Sequence, residues 1–438
     1  MQSSVKPPLK LNTPLLPALV VLLIILQLVV PYQGWMILLV GLGGAWLIAY
    51  LWARILARGL RLAREMRFGW MQVGDRLEER FTLTNTGWVP ALWVEMIDHS
   101  TLPDYRVSCA TGVDSMGENR WLVRGVCTRR GAYTLGPTTL RSGDPFGVYT
   151  VTLDYPAATN MMVMPPIVPL PQIQIAPGGR VGEGSRRAHA LERTVNAAGA
   201  REYHPGDSLS SVHWRISAHH DSLFVRLFDS TPTSDWWILL DLDRRVQAGE
   251  GQNSTTEHSV ILAASLADRG LRSGRSVGLV AYGEGLTWLP PQGGETRRWE
   301  ILRALTLAST GSRSLAELLA QVKPSLKQRS SIIVITPATQ GDWIEGILPL
   351  VWRGAVPTVL LLDPVSFGGL ATPLRTWLDG TLALLAEMEI ARYIITRDLL
   401  DRPESRPSQE GHWDFRVSPR GRAVPIRKPR DMSWKVLA

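Results

Sequence analysis

Trp236-Trp237-Ile238-Leu239-Leu240-Asp241-Leu242-Asp243 decides how the second half of the chain is read. Five apolar residues in a row, ended by an aspartate, are too few for a helix and carry no polar alternation. That pattern describes a strand buried on both faces. Outward from it the pattern recurs. His258 to Leu271 has apolar residues at helical spacing, and Ser276 to Tyr282 is a second buried strand. Arg297 to Ser309 and Leu315 to Val322 read as helices. Ser331 to Thr336 and Pro357 to Asp363 read as buried strands with a helix from Trp343 to Trp352 between them. Leu374 to Met388 is helical, and Tyr393 to Thr396 closes the series. Short apolar strands separated by amphipathic helices predict a mostly parallel, doubly wound α/β sheet over residues 235–400. Ligands on such sheets sit beyond the carboxyl ends of the strands, where Asp241, Thr336 and Asp363 fall.

Upstream, residues 68–170 alternate with a period of two, as in Arg80-Phe81-Thr82-Leu83-Thr84-Asn85 and Ala91-Leu92-Trp93-Val94-Glu95-Met96. About seven such short strands predict an all-β, immunoglobulin-like sandwich. Residues 171–234 connect the two parts. Their Gly-Gly-Arg-Val-Gly-Glu-Gly run lacks the Gly-Lys-Ser/Thr ending that grips phosphate, so it reads as a linker.

Before the sandwich, Leu15 to Trp52 carries no Lys, Arg, Asp or Glu. One bilayer span needs about 20 apolar residues, so this run suits two spans broken at Pro31-Tyr32-Gln33-Gly34. The expectation is a cytoplasmic N-terminus over residues 1–13 and a transmembrane hairpin over residues 14–53, with helices from Pro14 to Val30 and Trp35 to Ala53. A basic juxtamembrane segment over residues 54–67 follows. Lys6 and Lys10 precede the hairpin, and Arg54, Arg58, Arg61 and Arg64 follow it at helical spacing, facing anionic head groups. Positive flanks and an uncharged turn put the soluble body in the cytoplasm, on the cell (inner) membrane. The net charge of +8 collects at these flanks and in the basic, flexible tail over residues 401–438. The rest of the chain is net acidic. No nucleic-acid partner is therefore expected, and the tail is read as a lipid or protein contact, with nucleic-acid or anionic-lipid binding by Arg416 to Lys435 as an alternative function. Two cysteines, Cys109 and Cys127, read as thiols of a reducing compartment.

Two motifs go beyond composition. Arg130-Gly131-x-Tyr133-x-Leu135-Gly136-Pro137 is followed by Asp144-Pro145-Phe146-Gly147, read as a turn whose phenylalanine plugs the core. Arg201-Glu202-Tyr203-x-Pro205-Gly206-Asp207-Ser208 is followed by Val212-His213-Trp214-Arg215-x-Ser217-Ala218. Together with the hairpin these resemble the bacterial membrane-anchored family catalogued as domain of unknown function 58. The resemblance implies that the α/β domain is von Willebrand factor A-like. It also implies a non-enzymatic adaptor or assembly factor working with a MoxR-type AAA+ ATPase or a membrane protein client. Read from the residues alone, Pro205-Gly206-Asp207 is turn chemistry, and Arg201, Asp207 and Arg215 form either a structural knot or a partner surface.

A metal-dependent adhesion site in a von Willebrand-type domain needs Asp-x-Ser-x-Ser after the first strand. Here the sequence is Asp241-Leu242-Asp243-Arg244-Arg245, with both serines replaced. The site is degenerate and no cofactor is expected, with weak magnesium at Asp241 left open. The same Asp-x-Asp supports an alternative, a haloacid-dehalogenase-like phosphatase using Asp241 and Asp243. His213, His219, His220 and Asp221 are the densest group of possible zinc ligands, but adjacent histidines diverge and no cysteine completes the set. The expected partner surface therefore comprises Arg201, Tyr203, Asp207, His213, Trp214, Arg215, Asp241, Asp243 and Thr336, with no catalytic residue.

Overall fold

The computed structural model describes residues 9–66, 70–176, 197–204, 212–219, 222–228, 235–322, 330–369, 371–401, 414–417, 423–427 and 435–436. The chain divides into two units. The first comprises Met1–Pro166, Leu305–Leu307 and Pro407–Ala438, and the second Ile167–Ala304 and Ala308–Arg406.

In the first unit the uncharged run forms two helices, Leu15–Val29 and Gln33–Gly59, broken at Pro31 as the sequence predicts. The second has 27 residues and is long and apolar enough to cross a membrane, whereas the first, at 15 residues, is shorter than that. The second helix runs past the expected end at Ala53 because its last turns are part of the β-body. Ala53 and Leu56 are fully buried, and Ala57 packs with Val151. The Trp46 indole donates to the Tyr149 hydroxyl at 2.8 Å, and Trp52 donates to the Pro90 carbonyl at 3.1 Å.

The expected juxtamembrane segment is corrected here. The arginines at 54, 58, 61 and 64 match helical spacing, but the helix stops at Gly59 and Leu60–Met66 is a strand. Gly59 lies so close to the Gly87 backbone that a Cβ would sit 2.8 Å from its nitrogen, and Leu60 then pairs with Asn85. The period changes from 3.6 to 2, which turns Arg64 inward. Its guanidinium forks onto Glu79 at 2.8 and 2.9 Å, with Asp98 at 2.7 Å and Ser100 at 3.1 Å. Glu79 also accepts from the Tyr105 hydroxyl. Burial works against the Arg64 charge, but Glu79 and Asp98 more than offset it and hold the group protonated. Burial and the Glu79 charge push the Tyr105 hydroxyl far up.

Around this network the β-body is larger than predicted, with ten strands between Leu60 and Met164 among the described residues. One sheet runs Leu9–Leu11, Tyr149–Tyr155, Thr138–Gly143, Ala91–Asp98, Cys109–Val113. A second runs Lys435–Val436, Leu60–Met66, Arg76–Asn85, Glu118–Val126, and a third Trp70–Gln72, Thr159–Met164, Gly131–Leu135. The body thus begins before the helices, not at residue 68. The tail expected to be flexible supplies Lys435–Val436 and a pair of strands, Asp414–Val417 with Ala423–Arg427. Strand Arg76–Asn85 faces the core with Leu77, Glu79, Phe81, Leu83 and Asn85 in strict alternation. The Asp144–Gly147 turn forms as expected, with Asp144 accepting from the amides of Phe146 and Tyr149. Phe146, however, does not plug the core; it is 58% exposed.

The second unit is the predicted α/β sheet. Among the described residues its six strands lie in the order Leu286–Gln292, Val277–Tyr282, Trp236–Leu240, Ser331–Thr336, Val356–Leu362, Ala391–Ile395. All neighbours are parallel except the first pair. The antiparallel strand was missed because Pro290 and Pro291 lie within it. Proline is tolerated at an edge, and there it stands. Trp237, Leu239, Ile332, Val334, Val359 and Leu361 pack on one face against the helices at Leu315–Val322, Ile344–Trp352 and Ala371–Glu387. The alternate residues Ile238, Leu240, Ile333, Ile335 and Leu360 are also fully buried, so both faces are covered. Residues from Ile167 onward already belong to this unit. The Val168 amide donates to Ser265, and Ser331 donates to the Ala176 carbonyl. The Gly-rich run lies outside the described residues.

Candidate functional site

Asp241 is the first residue after the central strand Trp236–Leu240, and the adjacent strand places Thr336 beside it. The Thr336 hydroxyl donates to Asp241 Oδ2 at 2.6 Å, and the Asp243 amide donates to Oδ1 at 3.0 Å. Both oxygens of this buried carboxylate are therefore engaged. Burial pushes its pKa up to about 6, against the opposing hydrogen bonds from Thr336 and the Asp243 amide.

Asp243 is held differently. Burial raises its carboxyl, but the side-chain and backbone hydrogen bonds of Arg245 outweigh that and keep it below the ordinary carboxylate value. The Arg245 amide and Nε reach Oδ1 at 3.0 Å, and Nη2 reaches Oδ2 at 2.7 Å. The loop is fixed from below by a close approach of two glycines. Arg244 N donates to the Gly311 carbonyl and Gly311 N to the Leu242 carbonyl, while a Cβ on Gly311 would sit 2.0 Å from the Gly283 oxygen.

These residues edge a cleft of about 390 Å³, whose other walls include Gln247, Leu315, Gln340, Asp342, Trp343 and Trp377. Trp343 is fully buried and donates to the Ala338 carbonyl, so it forms the floor, while Asp342 and Trp377 are exposed at the rim. Chemically the arrangement is a shallow polar depression with an indole at its edge and a cation already spent on its second carboxylate. Among the described residues no cluster of three or more His, Cys, Asp or Glu could hold a metal ion.

The structure therefore brings together Asp241, Asp243 and Thr336 of the predicted surface. Among the described residues, none of those lining the cleft comes from the signature block. Arg201 lies on strand Ala197–Glu202, which pairs antiparallel with Phe224–Phe228, Arg201 opposite Val225. The Tyr203 amide continues the pairing to the Leu223 carbonyl, and the His213 amide donates to the Phe224 carbonyl. Trp214, strongly exposed, opens a single helical turn through Arg215 to Ser217. The turn is pinned where Ser217 donates to His213 O and accepts from Phe224 N. Asp207, His220 and Asp221 lie outside the described residues, as does the side chain of Arg215, so the Arg201–Asp207–Arg215 knot and the histidine group fall outside them too. Arg54, Arg58 and Arg61 are not buried, and Arg64 belongs to the core network described above. Sequence reasoning missed the Arg245 clamp, whose signal was an arginine two residues after an aspartate in a turn. It also missed the Glu79 partner, whose signal was an acid on the inward phase of an alternating strand.

A β-rich body joined to an α/β unit whose central strand ends in a buried aspartate defines the class. Residues 199–366 match the family described as "Protein of unknown function DUF58". It is 24% identical over 322 residues to the uncharacterized protein YeaD of Bacillus subtilis, covering 68% of this chain and 76% of that one. It is 22% identical over 171 residues to the uncharacterized protein Mb1516 of Mycobacterium bovis, covering 38% of this chain and 54% of the relative. Among solved structures, a protein described as an aerotolerance-related membrane protein from Bacteroides fragilis shares 17% identity with a TM-score of 0.25. That alignment covers 44% of this chain and 81% of the other.

Proposed function

We propose that this protein is a membrane-anchored, non-enzymatic adaptor or assembly factor. It presents the Asp241 rim of a von Willebrand A-like domain to a protein partner, a MoxR-type AAA+ ATPase or its membrane client. The carrying observation is the state of the two carboxylates. Asp241 gives both oxygens to Thr336 and to the backbone, and Asp243 gives both to Arg245. A nucleophilic aspartate needs a free oxygen aimed at substrate, and a general acid needs an exchangeable proton. Both Asp241 oxygens already accept hydrogen bonds and Arg245 holds Asp243 ionised, which favours the adaptor over the phosphatase. The parallel sheet with one antiparallel edge strand, and an aspartate closing its central strand, supports the von Willebrand A-like reading.

The two apolar helices form the membrane anchor in this proposal. Both expose apolar side chains on their outer faces, Leu22, Ile25 and Leu28 on the first and Ile37, Val40 and Leu47 on the second. Basic residues at the flanks favour a body on the cytoplasmic side. The test is a gentle-detergent pull-down from native membranes with quantitative mass spectrometry, comparing wild type with the rim variants Asp342→Lys and Trp377→Ala. A AAA+ ATPase recovered by wild type and reduced at least about tenfold (~1.4 kcal/mol) by either variant supports the proposal. Hydrolysis of phosphomonoesters by the purified protein, lost in Asp241→Asn, would replace it.

A further inference from the structure

The β-body exposes six large apolar side chains on one of its ends: Leu11, Trp88, Leu92, Trp93, Met116 and Phe146, with Trp88 74% and Phe146 58% exposed. Their common location follows from the strand registers. Leu11 pairs with Tyr149, and the Asn12 amide donates to the Val148 carbonyl just before the first apolar helix begins at Leu15. Phe146 stands on the turn that leads into that same strand. Thr150 pairs with Gly143 and Ser142 with Val94, which places Leu92 and Trp93 at the same end of the next strand but one. A Cβ on Gly143 would sit 2.9 Å from the Trp93 ring, so the two strand ends are in contact. Ala91 pairs with Val113, which leads to Met116, and the Met116 amide donates to the carbonyl of Gly87 beside Trp88. Pro90 closes the ring by accepting from Trp52 of the second helix.

These residues thus form a collar around the point where both apolar helices leave the body. Isolated exposed apolar residues need no explanation, but a ring of two indoles, a phenyl, a methionine and two leucines concentrated at one end does. We infer that this collar is an interfacial lipid-binding surface, set into the head-group layer of the bilayer that the helices enter. The occupant is fixed by continuity. The collar adjoins the lipid-facing side chains of the helices, and indole and phenyl groups are the ones that favour the boundary between head groups and acyl chains. A bilayer in contact with this end seats the body flat on the membrane instead of leaving it on a tether. The docking of Trp46 and Trp52 onto Tyr149 and Pro90 then transmits a fixed orientation to the β-body. This inference rests on the membrane reading proposed above.

The test uses the full chain in liposomes of phosphatidylcholine and phosphatidylglycerol. Cys109→Ser removes the accessible thiol and Cys127 stays buried. Single nitroxide labels are then placed through Phe146→Cys, Trp88→Cys, Leu22→Cys and Val126→Cys. Val126 is exposed and pairs with Arg76 at the far end of its strand, so it serves as the aqueous control. The expected result is that labels at 22, 88 and 146 collide more often with dissolved oxygen than with a water-soluble nickel chelate, with the order reversed at 126. A label at 22 in lipid with 88 and 146 both matching 126 overturns the collar while leaving the anchor standing. If position 22 also behaves like 126, the anchor reading falls and the collar falls with it.

Discussion

Replacing Arg64 with methionine tests whether this residue is a head-group contact, as its spacing suggests, or the centre of a buried network. The substitution keeps the length and apolar stem but leaves Glu79 fully buried and Asp98 nearly so, both without their cation. Tyr105, Ser100 and Thr138 still donate hydrogen bonds nearby, but none supplies charge. Breaking a buried pair by removing one member costs about 3–5 kcal/mol, because a carboxylate stays desolvated with no partner. For a unit of this size, each kcal/mol moves the melting temperature by roughly 2–4 °C. The melt of the β-body should therefore fall by roughly 6–20 °C. Hydrogen exchange by mass spectrometry on full-length protein in nanodiscs localises the effect. Amides of Arg76–Asn85 and Leu60–Met66 should exchange faster, and those of the α/β sheet should not. Adding Glu79→Gln to the variant should restore part of the loss by removing one orphan charge. A melt within about 2 °C of wild type, with unchanged exchange in Arg76–Asn85, would refute the reasoning and return Arg64 to the membrane surface.

Asp241 makes the α/β unit sensitive to pH. Its folded value is raised from 3.8 to about 6, so between those values the folded state holds a proton that the unfolded state has released. Its contribution to stability falls as pH rises through that window, by roughly 3 kcal/mol, and Asp241→Asn should flatten this slope in urea melts taken from pH 4 to 7. Burial pushes the Cys127 thiol up to about 12, so maleimide at pH 7.5 should label Cys109 and reach Cys127 only after denaturation, as counted by intact mass. Gly311→Ala should cost about 1–3 kcal/mol in the same urea melts, towards the upper end because the atom its Cβ meets is backbone. Arg245→Ser frees Asp243 and puts a hydroxyl back into the loop, and calorimetry should then detect magnesium binding stronger than in wild type.

Much of the α/β unit was legible in the sequence because its strands are buried on both faces. A run such as Ser331–Thr336 then has no other reading, and both its ends agree with the structure. The edge strand Leu286–Gln292 was not legible, since Thr287, Pro290 and Pro291 interrupt the apolar run and an edge needs no continuous one. The arginines after the helix misled for a related reason. Positions 54, 58, 61 and 64 satisfy a helical period, and only the close approach of Gly59 to Gly87, a contact between residues distant in sequence, ends the helix there. Phe146 shows the same limit. Its turn chemistry was readable from Asp144 and Gly147, but the direction of its ring depends on which end of the body carries the helices. At the candidate site, Asp241 and Thr336 were readable as strand ends. The clamp of Arg245 on Asp243 was not, because it depends on the backbone path of three residues.

The most direct test of the central claim is a photo-crosslinker placed at Trp377, on the rim of the Asp241 cleft, and in parallel at Ile394, which is exposed on the Ala391–Ile395 strand of the same unit. Irradiated in cells, position 377 should give a discrete crosslinked species containing a AAA+ ATPase or a membrane protein, weakened by Asp342→Lys, and position 394 should give none. Identical crosslinks from both positions, or none from 377 while the protein is intact in the membrane, would contradict the proposal that this cleft is a partner-binding surface.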